Sequence, residues 1–240
     1  MTLPETLNVA TAGNLRQRLE ETRTRISTAA LRYGREPQSV GLVAVSKGQP
    51  AESIRALAQC GCHDFGENYL QEALPKLRAL EDLDLTWHFI GQLQANKTRT
   101  VAEHFHWVHT LDRERIAVRL NEQRPHYAPA LNICIQVRLA DEPGKGGVAP
   151  DELTLLAQRI RDLPRLRLRG LMCIPPARES LEEQREFFAL LTRHQHALNA
   201  QGFALDALSM GMSGDLEAAV AEGATWVRIG TAIFGERPTR

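Results

Sequence analysis

Residues 207–235, ALSMGMSGDLEAAVAEGATWVRIGTAIFG, decide the fold. Ala207–Met210 is an apolar run of strand length, followed by a loop of small residues. Asp215–Glu222 reads as a helix, and Trp226–Ile229 is a second apolar run ending in Gly230-Thr231. Strand, helix and strand in this order make a parallel β-α-β unit.

Working outward, the same unit recurs. Further strand-like runs fall at Gly41–Ser46, His63–Gly66, His88–Gly91, Trp107–Thr110, Ile133–Val137 and Gly170–Ile174. Helix-like stretches lie between them, at Ala51–Gln59, Tyr69–Leu80, Arg113–Glu122, Pro150–Asp162 and Leu181–Asn199, and Gln92–Thr100 opens another. About eight strand–helix pairs predict an α/β fold, a closed TIM (β/α)8-type barrel. The strands are continuous apolar runs, as expected when both faces of a sheet are covered. An open doubly wound sheet has the same alternation, but neither a G-x-G-x-x-G turn nor a Walker loop is present. Ahead of the barrel, Leu15, Leu19, Ile26, Ala29 and Ala30 recur at roughly helical spacing. They predict an extra N-terminal helix over Asn14–Arg32, with Asn14 as its N-cap and Gly34 as its stop. No linker or low-complexity tract interrupts the chain, so one domain over residues 1–240 is expected.

Composition narrows the function classes. The formal net charge of +0 offers no basic surplus for a polyanion, so no nucleic-acid partner is expected. No apolar run reaches the roughly 18 residues of a membrane span, and the first residues lack the charged and apolar regions of a signal peptide. Four cysteines are too few for a disulfide framework in a chain this long, which favours reduced thiols and a cytoplasmic protein. Cys60-Gly61-Cys62-His63 lacks a second ligand cluster, so no metal is expected.

In a barrel of this type, chemistry gathers where strands end. The first strand ends at Lys47. A partly desolvated amine there has a lowered pKa and can condense with an aldehyde; the alternative is a solvated loop lysine. Asn68 follows the second strand and carries both a donor and an acceptor; the alternative is a cap for the next helix. His88 stands at the third strand, facing either side of the wall. Gly144, Gly146 and Gly147 flank Lys145 in a loop that could form an anion nest or a plain flexible turn. Ser209, Met210, Gly230 and Thr231 lie where barrels build phosphate sites, from the loops after the last two strands. Arg228, on the last strand, stays charged and would oppose protonation of a ring nitrogen beside it; a salt bridge in the barrel mouth is the alternative. One amine, one phosphate cradle and one arginine are the minimum equipment for pyridoxal 5'-phosphate (PLP).

These residues sit in longer motifs. VAVSKGQP (Val43–Pro50), FGENYLQEALPK (Phe65–Lys76), WHFIGQLQANKTR (Trp87–Arg99), GLMCIP (Gly170–Pro175) and the segment Leu208–Gly235 together resemble the PLP homeostasis proteins, the YggS/PROSC family. The resemblance covers nearly the whole chain. It implies a monomeric barrel like the N-terminal domain of alanine racemase. It also implies a Schiff base of PLP on Lys47, Arg228 near the pyridine nitrogen, phosphate around Ser209, Met210, Gly230 and Thr231, and Asn68 near the cofactor. The implied role is non-catalytic: a PLP carrier or buffer in vitamin B6 and amino-acid homeostasis, with apo PLP-dependent enzymes as recipients. Two departures stand out: Gly48 where a Thr is expected, and Gly144, where a Ser is expected, before Lys145.

Two enzymatic alternatives compete. A racemase of this fold uses a second domain and a tyrosine base from a partner subunit. Here the last strand ends close to Arg240, and Tyr33, Tyr69 and Tyr127 are not placed at a barrel mouth. A Schiff-base aldolase would use Lys47 directly on a carbonyl substrate.

Overall fold

The computed structural model describes residues 9–140 and 146–236. Eight parallel strands close into a barrel in sequence order. They are β1 (Gly41–Val45), β2 (Asp64–Glu67), β3 (Thr86–Phe89), β4 (Trp107–Leu111), β5 (Leu131–Gln136), β6 (Leu166–Met172), β7 (Ala207–Ser209) and β8 (Trp226–Ile229). Each strand pairs with the next, and β8 closes on β1 with Val43 opposite Arg228. The closed barrel excludes the open-sheet alternative.

The helices are α1 (Val9–Arg32), α2 (Ala51–Gln59), α3 (Leu70–Ala79), α4 (Thr98–His104), α5 (Glu114–Gln123), α6 (Leu153–Arg161), α7 (Leu181–Ala200), α8 (Leu216–Ala221) and α9 (Thr231–Phe234). The extra helix α1 buries Leu15, Leu19, Ile26, Ala29 and Ala30, the stripe that the spacing predicts. It packs on α2, α8 and α9. Asn14 lies inside α1 and caps nothing, whereas Gly34, at φ 68°, follows its end as expected.

Most of the core lies between the barrel wall and its helices, with Phe65, Leu111, Ile133 and Val227 fully buried there. A smaller cluster, Trp107, Cys134, Met172 and Ala207 with Trp226 against it, fills part of the barrel lumen. Buried polar side chains, His88, His109, Ser209 and Arg228, share the lumen with it. That is unusual, because barrel interiors are ordinarily dominated by branched aliphatic side chains.

Several boundaries differ from the sequence expectation. Strand β3 begins at Thr86 and ends at Phe89, which moves His88 from the start of the strand towards its end. Strand β6 begins at Leu166, earlier than the apolar run, because the exposed Arg167 and the partly buried Arg169, paired with Asp206, alternate with apolar residues and hide its start. Gln92–Gln94 are loop, and α4 starts only after a short 3-10 turn at Ala95–Lys97. The expected loop residues Gly144 and Lys145 lie outside the described residues.

Candidate functional site

A cavity of about 300 Å³ opens at the C-terminal ends of the strands. Lys47, Asn68, Arg228, Gly230 and Thr231 all line it. The barrel therefore gathers residues from the ends of β1, β2 and β8 that are far apart in sequence. A cavity of this size suits one small ligand.

Lys47 is half-buried and stands at the cavity wall, directly after fully buried Ser46. Gly48 follows at φ 72°, a left-handed conformation that glycine adopts without steric cost. Its N–H donates to Glu72 Oε2 at 2.9 Å, which holds the turn after the lysine.

Asn68 does not cap α3; the N-cap position is Tyr69, and it makes no side-chain cap. Instead Asn68 lines the cavity, and its Oδ1 is buried without a hydrogen-bond partner. A buried polar atom left unsatisfied costs about 1–3 kcal/mol. Gly91 permits this placement. A Cβ at Gly91 would come 2.0 Å from the Asn68 carbonyl oxygen, so only glycine lets the two backbones pass.

Arg228 is buried in the cavity floor. Its Nη1 donates to Ser209 Oγ at 2.7 Å and its Nη2 to the Cys173 carbonyl at 3.0 Å. Among the described residues no carboxylate lies within ion-pair distance of it, so the mouth salt bridge is not formed. Burial lowers the guanidinium from its ordinary value, but an arginine remains a cation at any ordinary pH.

Ser209 and Met210 are placed differently from the other candidates. Both are fully buried and neither lines the cavity. Their backbones continue the barrel ladder: Cys173 N donates to Ser209 O, and Met210 N donates to Trp226 O. The chain then turns at Gly211, and Met212, Ser213 and Gly214 reach the cavity instead. Ser213 Oγ accepts a bond from Ala232 N, which ties this loop to the N-terminus of α9 beside Gly230 and Thr231. Helix N-termini carry amides without intrahelical partners, so this corner suits an anion. The signal for Ser213 was its place in Ser-Gly-Asp just ahead of a helix.

The residues present fit PLP. They offer an amine, a carboxamide with an unsatisfied atom, a fixed cation and an anion corner within one cavity. Among the described residues no cluster of three or more His, Cys, Asp or Glu could hold a metal ion. All four cysteines are unpaired. No helix among the described residues is long and apolar enough to cross a membrane.

Comparison with known proteins agrees with this geometry. The family model described as "Alanine racemase, N-terminal domain" matches residues 19–238. The pyridoxal phosphate homeostasis protein of Pseudomonas aeruginosa is 56% identical over 213 residues, covering 89% of this chain and 91% of that one. This chain belongs to the PLP homeostasis protein family. The family member from Escherichia coli K12 is 50% identical over 230 residues, 91% of this chain and 95% of its own. Among solved structures, PipY of Synechococcus elongatus with PLP bound superposes with a TM-score of 0.82 at 39% identity, covering 92% of this chain and 100% of that one. An alanine racemase of Clostridium difficile shares the fold at 14% identity and a TM-score of 0.74, covering 95% of this chain and 58% of the racemase.

Proposed function

We propose that this chain binds PLP in the cavity, joined to Lys47 through a Schiff base, and acts as a non-catalytic carrier or buffer of the cofactor. The observation that carries the reading is a lysine at the mouth and an arginine at the floor of one cavity. Arg228 pairs in register with Val43. Lys47 follows two residues after the end of the same strand, at the cavity end of the barrel. The aldehyde carbon and ring nitrogen of PLP stand para to each other, so an amine above and a cation below are complementary to it. PipY, solved with PLP bound, supports the choice of cofactor.

When bound, PLP supplies an aldehyde for the amine and a ring whose power as an electron sink rises when its nitrogen is protonated. Arg228, a permanent cation, opposes that protonation. Gly230 and Thr231, with Ser213 from the neighbouring loop, would hold the phosphate, and Asn68 would lie on the phenolic side of the ring, where its carboxamide N–H can donate. Ser209 and Met210 act from beneath: Ser209 by orienting Arg228, Met210 by anchoring the loop.

The carrier role is supported by what the cavity offers for proton transfer. Of the described residues that line it, only Lys47 and Arg228 are ionisable. Tyr69 and Tyr127 are exposed outside it, and Tyr33 follows α1. Two-sided proton transfer requires a second base. On this reading the chain works as a cytoplasmic monomer whose recipients are apo PLP-dependent enzymes.

The test is borohydride reduction of the purified protein, peptide mapping by mass spectrometry, and an amino-acid racemisation assay. A pyridoxyl adduct on Lys47 with no turnover is the expected result. Turnover would restore the racemase reading. An adduct formed only with an added carbonyl substrate would point to an aldolase, and no adduct after soaking with PLP would sink the cofactor assignment.

A further inference from the structure

Side chains from five strands form one continuous hydrogen-bonded chain across the barrel lumen. Asp64 Oδ1 lies 2.9 Å from His88 Nε2. His88 Nδ1 lies 2.9 Å from His109 Nε2. His109 Nδ1 lies 2.6 Å from Ser209 Oγ. Ser209 Oγ in turn accepts from Arg228 Nη1 at 2.7 Å. Asp64 is the first residue of β2, 29% exposed, and borders a groove at the opposite end of the barrel from the cavity. His88, His109, Ser209 and Arg228 are buried.

The proton positions follow from the two ends of the chain together, with both imidazoles neutral. The Asp64 carboxylate only accepts, so His88 Nε2 and in turn His109 Nε2 carry the donated protons; a guanidinium only donates, so Ser209 Oγ accepts from it and has one proton left to give. That proton goes to His109 Nδ1, which makes Nδ1 an acceptor and places the imidazole proton on Nε2. His88 Nδ1 accepts that one, and its own proton sits on Nε2, pointing at Asp64. All four bonds then donate in the same direction, from the cation in the cavity floor to the carboxylate at the far end. Both imidazoles must be neutral. Burial depresses both, His109 well below its ordinary value with His88 and Arg228 adding to the effect, while the hydrogen bond to Asp64 opposes it at His88. His88 is also stacked on Trp107 at 5.7 Å and meets the edge of Trp226 at 5.2 Å, which fixes its ring plane.

Among the described residues no carboxylate is hydrogen-bonded to Arg228, so this chain is its hydrogen-bonded route to a carboxylate. The Cys134 and Cys173 thiols are pushed up to about 12 by burial and stay neutral. Asp215, which also acts on Arg228 through space, has its carboxylate turned to the Met212 backbone N–H.

We propose that Asp64, His88, His109 and Ser209 form a positioning relay that aims Arg228 into the cavity as a cation with its counter-charge held at a distance. A carboxylate touching the guanidinium would cancel the field it presents to a ligand. Two neutral imidazoles and a hydroxyl satisfy its hydrogen bond without doing so. This inference rests on PLP occupying the cavity, with its ring nitrogen towards Arg228. It then follows that side chains which touch no ligand set the protonation behaviour of the bound cofactor.

Two measurements test the relay. The first uses ligand-free protein with nitrogen-15 in its histidines. His88 and His109 are expected to resonate as neutral imidazoles protonated on Nε2 between pH 8 and pH 6, whereas a proton on Nδ1 of either ring overturns the relay. The second is the pH profile of the absorption band of PLP-loaded protein. Asp64→Ala removes the half-exposed terminus and His109→Phe removes the central link. Each is expected to move the profile by about one pH unit, a tenfold change in proton affinity. His109→Gln is expected to restore it, since its amide oxygen can accept from Ser209 while its nitrogen donates to His88. An unshifted profile in Asp64→Ala and His109→Phe, with PLP still trapped on Lys47, overturns the relay in favour of a packing role. If His109→Phe does not fold, Asp64→Ala carries the decision. A wild-type protein that traps no PLP defeats the functional reading, and the tautomer measurement then judges the hydrogen-bond chain alone.

Discussion

The Lys76 ammonium lies 2.7 Å from Glu67 Oε1 and 2.8 Å from the Ser46 carbonyl oxygen, buried between β1, β2 and α3. Ser46 Oγ donates to the same carboxylate oxygen at 2.6 Å, while Glu67 Oε2 has no partner. Burial pushes the Glu67 carboxyl above its ordinary value, an effect that Lys76 and the Ser46 hydroxyl offset only in part. The pair braces the backbone immediately before Lys47. Lys76→Met strands a buried carboxylate and is expected to cost about 3–5 kcal/mol in urea unfolding of the ligand-free protein. Adding Glu67→Gln is expected to recover much of that, since the pair's net contribution is small compared with the cost of breaking it. Unchanged stability in Lys76→Met would show that the carboxyl is neutral in the folded protein.

Lys47 lines a cavity mouth rather than the core, and side chains in such places contribute little to packing. Lys47→Ala is expected to stay folded, with unfolding free energy within about 1 kcal/mol of wild type. It is also expected to lose all PLP that survives borohydride reduction and denaturation. Loss of the fold without ligand would place Lys47 in the structural framework instead.

Much of this was legible in the sequence, for identifiable reasons. Period and run length expose a parallel barrel, because strands covered on both faces read as apolar runs. Lys47 and Arg228 were legible because charges at the ends of such runs are costly and call for an explanation. The lumen was not legible. His88, His109 and Asp64 meet across β2, β3 and β4, and nothing in local spacing says which face of a strand turns inward. Ser209 and Ser213 illustrate the same limit. They are four residues apart, Ser209 closing β7 and Ser213 in the loop after it, and only the turn at Gly211 decides that the second reaches the cavity while the first lies beneath it.

Gly48 stands where a threonine was expected, and its φ of 72° gives that departure a physical consequence. A β-branched residue in the left-handed region costs about 1–2 kcal/mol. Gly48→Thr is expected to lower the melting temperature of the ligand-free protein by roughly 2–8 °C for a domain of this size. A smaller gain in the entropy of the unfolded chain offsets part of that. Calorimetry showing no loss would mean that the turn after Lys47 relaxes out of the left-handed region.

The buried histidines also set a pH dependence of stability. The His88 and His109 imidazoles lie below the ordinary histidine value in the folded protein, chiefly through burial. In the unfolded chain both titrate at the ordinary value. Between that value and the lower folded ones, the unfolded state therefore binds more protons, and stability falls as pH falls. Above the ordinary histidine range both states are neutral and the effect vanishes. Each histidine contributes a slope approaching 1.4 kcal/mol per pH unit below about pH 6.5. Urea midpoints for wild type and His109→Gln, measured from pH 8 to pH 5, isolate one of the two, because His106 and His194, also depressed by burial, are common to both proteins. The variant should match the wild-type slope above pH 7 and be shallower by close to one proton below pH 6. Parallel curves throughout would mean that His109 takes up a proton in the folded protein, which the one-way hydrogen-bond chain from Arg228 to Asp64 forbids.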